Sequence, residues 1–212
     1  MILPDWKIRQ EIIDIGQRIY DRGLATGTDG NISYRASKDH LLITASGTCL
    51  GQLKPDDILA VDYSGNALST ERRPSSELPM HLAAYRLRPD INAVIHAHPP
   101  TATGFSIAGL SLAAPVIPEI VMTLGEIPTA PYATPSSEEG ALALAELVTR
   151  HDAILLDRHG AITVGSTLEE AFYKMEKVEY TAMVTLTAWL LGKTELLSPE
   201  QVEKLWRVSP QK

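Results

Sequence analysis

The stretch INAVIHAHPP, residues 91–100, constrains the expected fold more than any other part of the sequence. Residues 91–98 are rich in apolar and β-branched side chains, which predicts a buried β-strand, and the proline pair that follows ends it. Side chains alternate between the two faces of a strand, so His96 and His98 project from the same face. Two imidazoles on one face suit a metal ion, although two hydrogen-bonded histidines in a core would give the same pattern.

A third histidine strengthens the metal interpretation. His159 follows an apolar run and precedes Gly160, where the chain can turn and expose the imidazole in a cleft. Three histidines with an open fourth position are the pattern of a catalytic zinc site. The sequence therefore predicts a metal held by His96, His98 and His159.

The remaining histidines are expected to play other roles. His81 is a rival ligand because it lies four residues after Glu77, on the same face of a predicted helix. That helix carries a strong apolar stripe, which favours a packed, hydrogen-bonded structural histidine. His40 and His151 lie in polar stretches and are expected to be solvated.

Strands and helices are interleaved along the rest of the chain. Apolar spacing predicts helices at residues 8–19, 78–88, 101–109, 136–151, 167–191 and 199–208. Further strands are predicted near residues 31–35 and at residues 41–47, 56–62 and 153–165, and residues 114–135 are expected to form short strands and turns. Tight turns between several strands permit antiparallel pairing, so the expected fold is a mixed α/β sandwich in one domain, residues 1–212.

Composition limits the classes of function. The 212-residue chain has 44% hydrophobic residues, a formal net charge of −7 and a pI near 5.4, which argue for a folded core and against nucleic-acid binding. The single Cys49 fits a reducing compartment. The charged N-terminus differs from a signal peptide, and the apolar residues 182–191 are too few to span a membrane. We therefore expect a soluble cytoplasmic protein.

The segment RRPSSELPMH, residues 72–81, suggests an anion site. Ser75, Ser76 and Glu77 lie at the predicted start of a helix, where free amides and the helix dipole favour a phosphate. A simple serine cap would give the same pattern. Arg72 and Arg73 are close in sequence, but solvated side chains are the expectation for both. The glycines at positions 27 and 30 lack the GxGxxG spacing and precede a strand, so they do not indicate a dinucleotide site.

Five motifs in order carry a family resemblance: GTDGNIS at residues 27–33, ITASG at 43–47, PSSE at 74–77, HAHPP at 96–100 and LDRHG at 156–160. Together they resemble the class II aldolase/adducin family, and most closely its fuculose-1-phosphate aldolase branch. The match runs from the first helix to the long helix near Leu191. No single motif would suffice, and the specificity comes from their order.

The resemblance implies a fold, an assembly and a site. It implies a central, mostly antiparallel sheet flanked by helices, and a homotetramer with active sites at the subunit interfaces. It implies one zinc ion per subunit on His96, His98 and His159, with Glu77 as both a resting ligand and the catalytic acid/base. The family's phosphate-binding positions match Gly30, Asn31, Ser46, Gly47, Ser75 and Ser76.

The resemblance also implies a reaction on a small phosphorylated sugar. The first expectation is an aldolase that cleaves a ketose 1-phosphate, derived from L-fuculose, 5-deoxyribulose or methylthioribulose, into dihydroxyacetone phosphate and a short aldehyde. The alternatives are a pentulose-5-phosphate 4-epimerase, whose branch carries aspartate in place of Glu77, and a methylthioribulose-1-phosphate dehydratase. An adducin-like interaction domain is the non-enzymatic alternative, and the retained histidines and Glu77 argue against it.

One departure from the family pattern concerns the proton donor for the aldehyde. Where the fuculose branch has a tyrosine supplied by a neighbouring subunit, this chain has PEIVMTLGE, with Val121 or Met122 near that place. Tyr132 is the nearest phenol in sequence, and a structural role is expected for it. The short C-terminal tail resembles nothing diagnostic.

Overall fold

A computed structural model describes residues 4–68 and 72–208 of the chain. The helices are α1 (Asp5–Asp21), α2 (Leu78–Leu87), α3 (Pro100–Ile107), α4 (Pro118–Thr123), α5 (Glu138–Val148), α6 (Leu168–Leu190) and α7 (Pro199–Val208). The strands are β1 (Asn31–Tyr34), β2 (His40–Thr44), β3 (Ile58–Asp62), β4 (Ala93–Ala97), β5 (Thr129–Ala130), β6 (Ala153–Leu156) and β7 (Gly160–Gly165). Two short 3-10 turns, Leu50–Gln52 and Pro55–Asp57, precede β3.

The seven strands form one sheet with the order β3-β2-β1-β4-β7-β6-β5. All neighbouring pairs are antiparallel except β5 and β6, which are parallel. Helices cover both faces: α1, α3 and α6 contribute to one apolar cluster, and α2 and α5 contribute to the other. This arrangement confirms the predicted α/β sandwich with a mostly antiparallel sheet.

The strand predicted from residues 91–98 lies at the centre of the sheet as β4. All five of its residues are buried, and it pairs with β1 on one side and β7 on the other. His96 lies opposite Asn31 of β1 and opposite Ile162 of β7. The end of β4 is therefore surrounded by backbone on both sides, which restricts where its histidine can point.

The first helix also follows its prediction. Ile8, Ile12, Ile15 and Ile19 of α1 are all buried against the sheet, since helical spacing places them on one face. Gly23 follows the helix with φ at +66°, the left-handed conformation that ends a helix and that glycine adopts without strain.

Three local predictions were wrong. Residues 153–165 form two antiparallel strands, β6 and β7, because the chain reverses at residues 157–159. Residues 114–135 contain the helix α4 as well as the short strand β5. Neither Ser75 nor Ser76 caps α2; Glu77 occupies the N-cap position, and the hydroxyl of Ser75 accepts a hydrogen bond from its amide at 3.3 Å.

Within the described residues, no helix combines the length and the apolar character that crossing a membrane requires. The longest, α6, carries charged residues along its buried as well as its exposed sides, including Lys174 and Glu179.

Two glycine-to-alanine substitutions should have opposite effects on stability. A Cβ at Gly160 would overlap the carbonyl oxygen of Ala97 and lie 2.8 Å from the ring of His98, so Gly160→Ala should lower the free energy of unfolding by about 1–3 kcal/mol. At Gly104, in the middle of α3, an added Cβ would have no neighbouring atom within 4 Å. Gly104→Ala should therefore raise the free energy of unfolding by about 0.4–1 kcal/mol. Urea unfolding measures both. Equal effects would contradict the close packing of β4 against β7.

Candidate metal centre

Four side chains from three parts of the fold converge beyond the end of β4. His96 lies on β4 and His98 directly follows it, His159 lies in the turn between β6 and β7, and Glu77 precedes α2. The three imidazole centroids are 4.7–5.0 Å apart. Nε2 of His96 lies 3.0 Å from Nε2 of His98 and 3.0 Å from Oε2 of Glu77. The cluster thus combines three nitrogens and a carboxylate at contact distance.

These donors fit a divalent metal ion. One nitrogen from each of the three histidines can be chosen so that all lie within 4.8 Å of one another. Oε1 of Glu77 is buried, lies 3.2 Å from Nε2 of His159, and makes no hydrogen bond to any of the described residues. A buried carboxylate oxygen without a hydrogen-bond partner is costly unless another positive group satisfies it. Imidazole and carboxylate are ligands that zinc accepts.

Neighbouring groups orient two of the imidazoles. Nδ1 of His96 donates a hydrogen bond to the carbonyl of Ala161 on β7 at 2.9 Å, and because Nδ1 carries this proton, Nε2 faces the cluster. Nδ1 of His98 lies 3.7 Å from a carboxylate oxygen of Asp29, which is about half exposed at the mouth of the site. Partners of this kind on the outer nitrogen are usual for metal-binding histidines.

The turn that carries His159 has an unusual backbone. Arg158 has φ at +57°, a left-handed conformation that few residues other than glycine, asparagine and aspartate adopt readily. Its amide donates to the hydroxyl of the buried Ser106 on α3 at 3.0 Å, which helps to hold that conformation. The turn therefore projects His159 back over the end of β4.

Glu77 is kept ionised by its surroundings. Burial by itself raises the pKa of this carboxyl, but the positive charge of His96, the hydrogen bonds from His96 and Asn31, and the charge of His159 outweigh burial and lower the pKa well below its usual range. Asn31 donates through Nδ2 to Oε2 of Glu77 at 2.9 Å. The site therefore presents a carboxylate rather than a carboxylic acid at neutral pH.

The candidate phosphate-binding residues lie in neighbouring loops. An isolated antiparallel bridge joins Ala45 and Pro74, so the turn that contains Ser46 and Gly47 runs beside the segment that contains Ser75 and Ser76. Positive φ angles at Gly30 and Gly47 are conformations that glycine adopts readily. The Ser76 hydroxyl pairs with that of Ser136 at 2.7 Å.

Asn31 differs from the other phosphate candidates because its side chain already has two partners. Besides its bond to Glu77, its Oδ1 lies 2.6 Å from Nε2 of His81. The side chain is 4% exposed. In this structure, Asn31 therefore belongs to the immediate surroundings of Glu77.

His81 is buried and hydrogen-bonded, which confirms the structural role expected for it. It is fully inaccessible to solvent and contacts Asn31 and the hydroxyl of Ser33. Burial, with a smaller contribution from the charge of His96, lowers its pKa to about 3, so the imidazole is neutral at pH 7. The prediction that His40 is solvated was wrong: its ring is only partly exposed and pairs with Asp5 at 3.1 Å.

A small pocket opens beside Glu77 and His159. Its other walls come from Met80 of α2, the loop at residues 133–137 and the first turn of α5. Tyr132 lies next to two residues of this wall and its side chain is 62% exposed, so it does not belong to the core. Val121 is buried on α4, a segment whose sequence contains no tyrosine.

Sequence reasoning missed several neighbours of the cluster. Asp29, Ser33 and Ser106 were not predicted as site residues, because serine and aspartate are common in loops and strands and carry no distinctive pattern. The sequence spacing could have identified Ser33. Asn31 and Ser33 are two residues apart and share one face of β1, and His81 and Tyr85 are four residues apart and share one face of α2, so the two pairs can face each other.

Comparison with known proteins identifies related sequences and folds. The family model described as "Class II Aldolase and Adducin N-terminal domain" matches residues 10–186. The match covers most of the chain and includes the three histidines and Glu77.

Relatives with different reactions are similarly close. The 3-oxo-tetronate 4-phosphate decarboxylase of Escherichia coli K12 is 38% identical over 179 residues, which cover 82% of this chain and 84% of that protein. The L-fuculose phosphate aldolase of Haemophilus influenzae is 38% identical over 201 residues, which cover 93% of this chain and 91% of that protein. The crystal structure of YgbL from Klebsiella pneumoniae superposes with a TM-score of 0.87 at 34% identity, covering 96% of this chain and 99% of that one.

The metal-free protein should lose stability as the pH falls from 6.5 to 5. His81 has a pKa of about 3 in the folded chain and the ordinary value of 6.5 in the unfolded chain, so over this range the unfolded chain binds a proton that the folded chain does not. The contribution of this residue is therefore complete well above pH 6.5 and declines as the pH falls through that value, by about 2 kcal/mol at pH 5. Urea unfolding with a chelator present tests this. A free energy of unfolding that is constant over this range would contradict the burial of a neutral His81.

His96→Ala should abolish stoichiometric metal binding, because it removes the nitrogen that lies against both His98 and Glu77. His151→Ala serves as the matched control, since His151 lies outside the cluster, and should bind metal like the unaltered protein. Elemental analysis after dialysis against a divalent metal measures both. Full metal content in His96→Ala would rule out the proposed ligand set.

Proposed function

The chain belongs to the class II aldolase and adducin family, which confirms the resemblance of its five motifs, and from this premise we propose that it is a metal-dependent lyase releasing dihydroxyacetone phosphate. Its substrate is a small phosphorylated sugar or sugar acid. The observation that carries the proposal is the cluster of three imidazoles beside the Glu77 carboxylate, one of whose oxygens is buried and has no hydrogen-bond partner among the described residues.

We infer that the metal is zinc, one ion per subunit, held by His96, His98 and His159 with Glu77 as a further ligand in the resting site. Three histidines and a carboxylate are a donor set that zinc prefers. When bound, the ion would act as a Lewis acid and stabilise negative charge that develops on the substrate oxygens.

Glu77 is the proposed acid/base. Its carboxylate is ionised, and a base of this kind can remove the carbon-bound proton of dihydroxyacetone phosphate. In the direction of cleavage the same group, once protonated, returns that proton to the enediolate carbon. Because Asn31 holds Oε2 of the carboxylate, Glu77 can perform this transfer at one defined position.

The substrate phosphate is proposed to bind where the loops of Ser46, Gly47, Ser75 and Ser76 meet, with Gly30 beside them. The bridge between Ala45 and Pro74 supports this proposal because it brings the two loops together. Hydroxyls and backbone amides in adjacent turns form anion-binding sites without a large net positive charge. This suits a chain whose net charge is −7.

Two substrates fit this site because they share one half. Cleavage of a ketose 1-phosphate between the third and fourth carbons leaves an aldehyde and the enediolate of dihydroxyacetone phosphate. Loss of carbon dioxide from 3-oxo-tetronate 4-phosphate leaves the same enediolate. The phosphate contacts and the Glu77 proton transfer are then identical, and only the leaving group differs.

The leaving group gives a specific reason to consider the decarboxylase. Aldol cleavage requires that the hydroxyl of the departing carbon lose its proton, whereas a carboxylate departs as carbon dioxide without one. Helix α4, at the place where the fuculose branch has its tyrosine, carries no phenol. The similarity to the Escherichia coli decarboxylase supports this second candidate, and the similarity to the Haemophilus influenzae aldolase supports the first.

The proposal includes a cytoplasmic homotetramer with active sites at the subunit interfaces. Large apolar side chains on the outer surface of this chain support self-association, among them Leu190, Leu191 and Trp206. The single cysteine supports a reducing compartment.

A panel of substrates tests the proposed function. The metal-loaded protein is incubated with L-fuculose 1-phosphate, 5-deoxyribulose 1-phosphate and 3-oxo-tetronate 4-phosphate, and release of dihydroxyacetone phosphate is coupled to NADH oxidation. We expect release from at least one of them and loss of activity with a chelator. Carbon dioxide evolution identifies the decarboxylase, and an aldehyde product identifies the aldolase.

Glu77→Gln is the control for this panel. It should retain metal through the three histidines and lose turnover by about 100-fold or more, since it cannot transfer the proton. Metal-loaded protein that releases no dihydroxyacetone phosphate from any of these substrates, but interconverts pentulose 5-phosphates, would overturn the proposal.

A further inference from the structure

A continuous line of buried polar side chains runs from Glu77 into the protein, away from the metal centre. Asn31 contacts Glu77 at 2.9 Å, His81 contacts Asn31 at 2.6 Å, Ser33 contacts His81 at 2.6 Å and Tyr85 contacts Ser33 at 2.8 Å. All five residues are at most 8% exposed. Polar groups this deep in a core are arranged so that donors meet acceptors, so the direction of each hydrogen bond can be worked out.

The directions of these hydrogen bonds can be assigned by starting from the Glu77 carboxylate. Asn31 donates through Nδ2 to a carboxylate oxygen of Glu77, so the oxygen of the same amide, Oδ1, faces His81. An amide oxygen only accepts, so Nε2 of His81 must carry the proton. A neutral imidazole then has an unprotonated Nδ1, which accepts the hydroxyl proton of Ser33.

The direction of the hydrogen bond between Ser33 and Tyr85, at the far end of the line, follows in the same way. Because the Ser33 proton is directed to His81, the Ser33 oxygen is the acceptor in its contact with Tyr85. The Tyr85 hydroxyl lies closer to Ser33, at 2.8 Å, than to its other acceptor, the carbonyl of Asn92, at 3.2 Å. Every donor in the line therefore points toward Glu77.

We propose that His81 is a positioning residue for Glu77 and acts through Asn31, an inference that rests on the proposed lyase function. His81 contacts neither the metal-binding nitrogens nor the cleft. Its Nε2 proton stabilises the amide orientation in which Nδ2 of Asn31 faces Glu77, because the reversed amide would place the Asn31 NH2 group against the N–H of His81. With Asn31 holding Oε2, the oxygen left for the reaction is Oε1.

A measurement without substrate tests the directions directly. Nitrogen NMR of the unaltered, metal-free protein with labelled histidine reports which ring nitrogen carries the proton. We expect the Nε2-protonated tautomer of His81 at pH 7. The Nδ1-protonated tautomer would overturn the proposal whatever the enzyme's substrate proves to be.

The kinetics of variants test whether His81 affects turnover through Asn31. His81→Phe should lower kcat by about 10- to 100-fold, the usual effect of removing an outer partner of a site, with metal content and KM little changed. Because His81 acts through Asn31, the double variant Asn31→Ala/His81→Phe should be no slower than Asn31→Ala alone. Independent, additive losses would show that His81 does not act through Asn31.

The matched control is His40→Phe. His40 is also a partly buried histidine with two side-chain partners, Asp5 and Ser37, but it lies away from the metal centre. This variant should lower stability while kcat stays at the level of the unaltered enzyme. A kcat loss in His40→Phe as large as that in His81→Phe would assign the effect to general destabilisation.

A milder variant covers the case in which His81→Phe does not fold. Ser33→Ala removes the hydroxyl that contacts both Nδ1 of His81 and the Tyr85 hydroxyl. The Nε2-protonated tautomer of His81 then loses one of its two hydrogen bonds, so His81 should populate both tautomers and kcat should fall. Mixed tautomers with an unchanged kcat would overturn the positioning role. If the unaltered enzyme cleaves no substrate, the tautomer measurement still decides the hydrogen-bond line separately from the proposed function.

Discussion

The carboxylate of Glu77 is the charge that the rest of this structure compensates. An ionised group that is 8% exposed is stable only where paired charges and hydrogen bonds replace the water it has lost. His96 and Asn31 satisfy one oxygen, and the other oxygen faces His159 without a hydrogen bond. A cation bound by the three histidines would balance the charge of that remaining oxygen. The start of α2, the end of β4 and the turn after β6 must all meet there.

The strand order makes this meeting possible. Because β4 is central and antiparallel to both β1 and β7, the end of β4 lies beside the start of β1 and the start of β7. Asn31 comes from the first of these neighbours, and the carbonyl of Ala161 that orients His96 comes from the second. Gly160 allows β7 to approach so closely, since a Cβ there would overlap the backbone of β4.

Periodic features were predictable from the sequence, and features made by distant contacts were not. The period of a strand placed His96 and His98 on one face, and the period of a helix identified the buried isoleucines of α1. Gly160 indicated a possible turn after His159, but the division of residues 153–165 into two strands was missed. That reversal depends on the left-handed conformation of Arg158, which Ser106, more than fifty residues away, helps to hold. Helix α4 was not predicted because the prolines of residues 114–135 suggested turns. One of these prolines, Pro118, is the first residue of the helix, a position where proline is tolerated.

The division of the site into two halves explains why close relatives have different reaction names. The half that holds the carboxylate is built from β1, β4 and α2, which supply the buried side chains of Asn31, His96 and His81. The other half opens into a pocket bounded by the loop at residues 133–137, with Tyr132 exposed beside it. A rigid half suits the part that the two proposed reactions share, the enediolate of dihydroxyacetone phosphate. Loops tolerate substitution better than a packed sheet, so the leaving group is the part of the chemistry that can change while the fold and Glu77 stay the same.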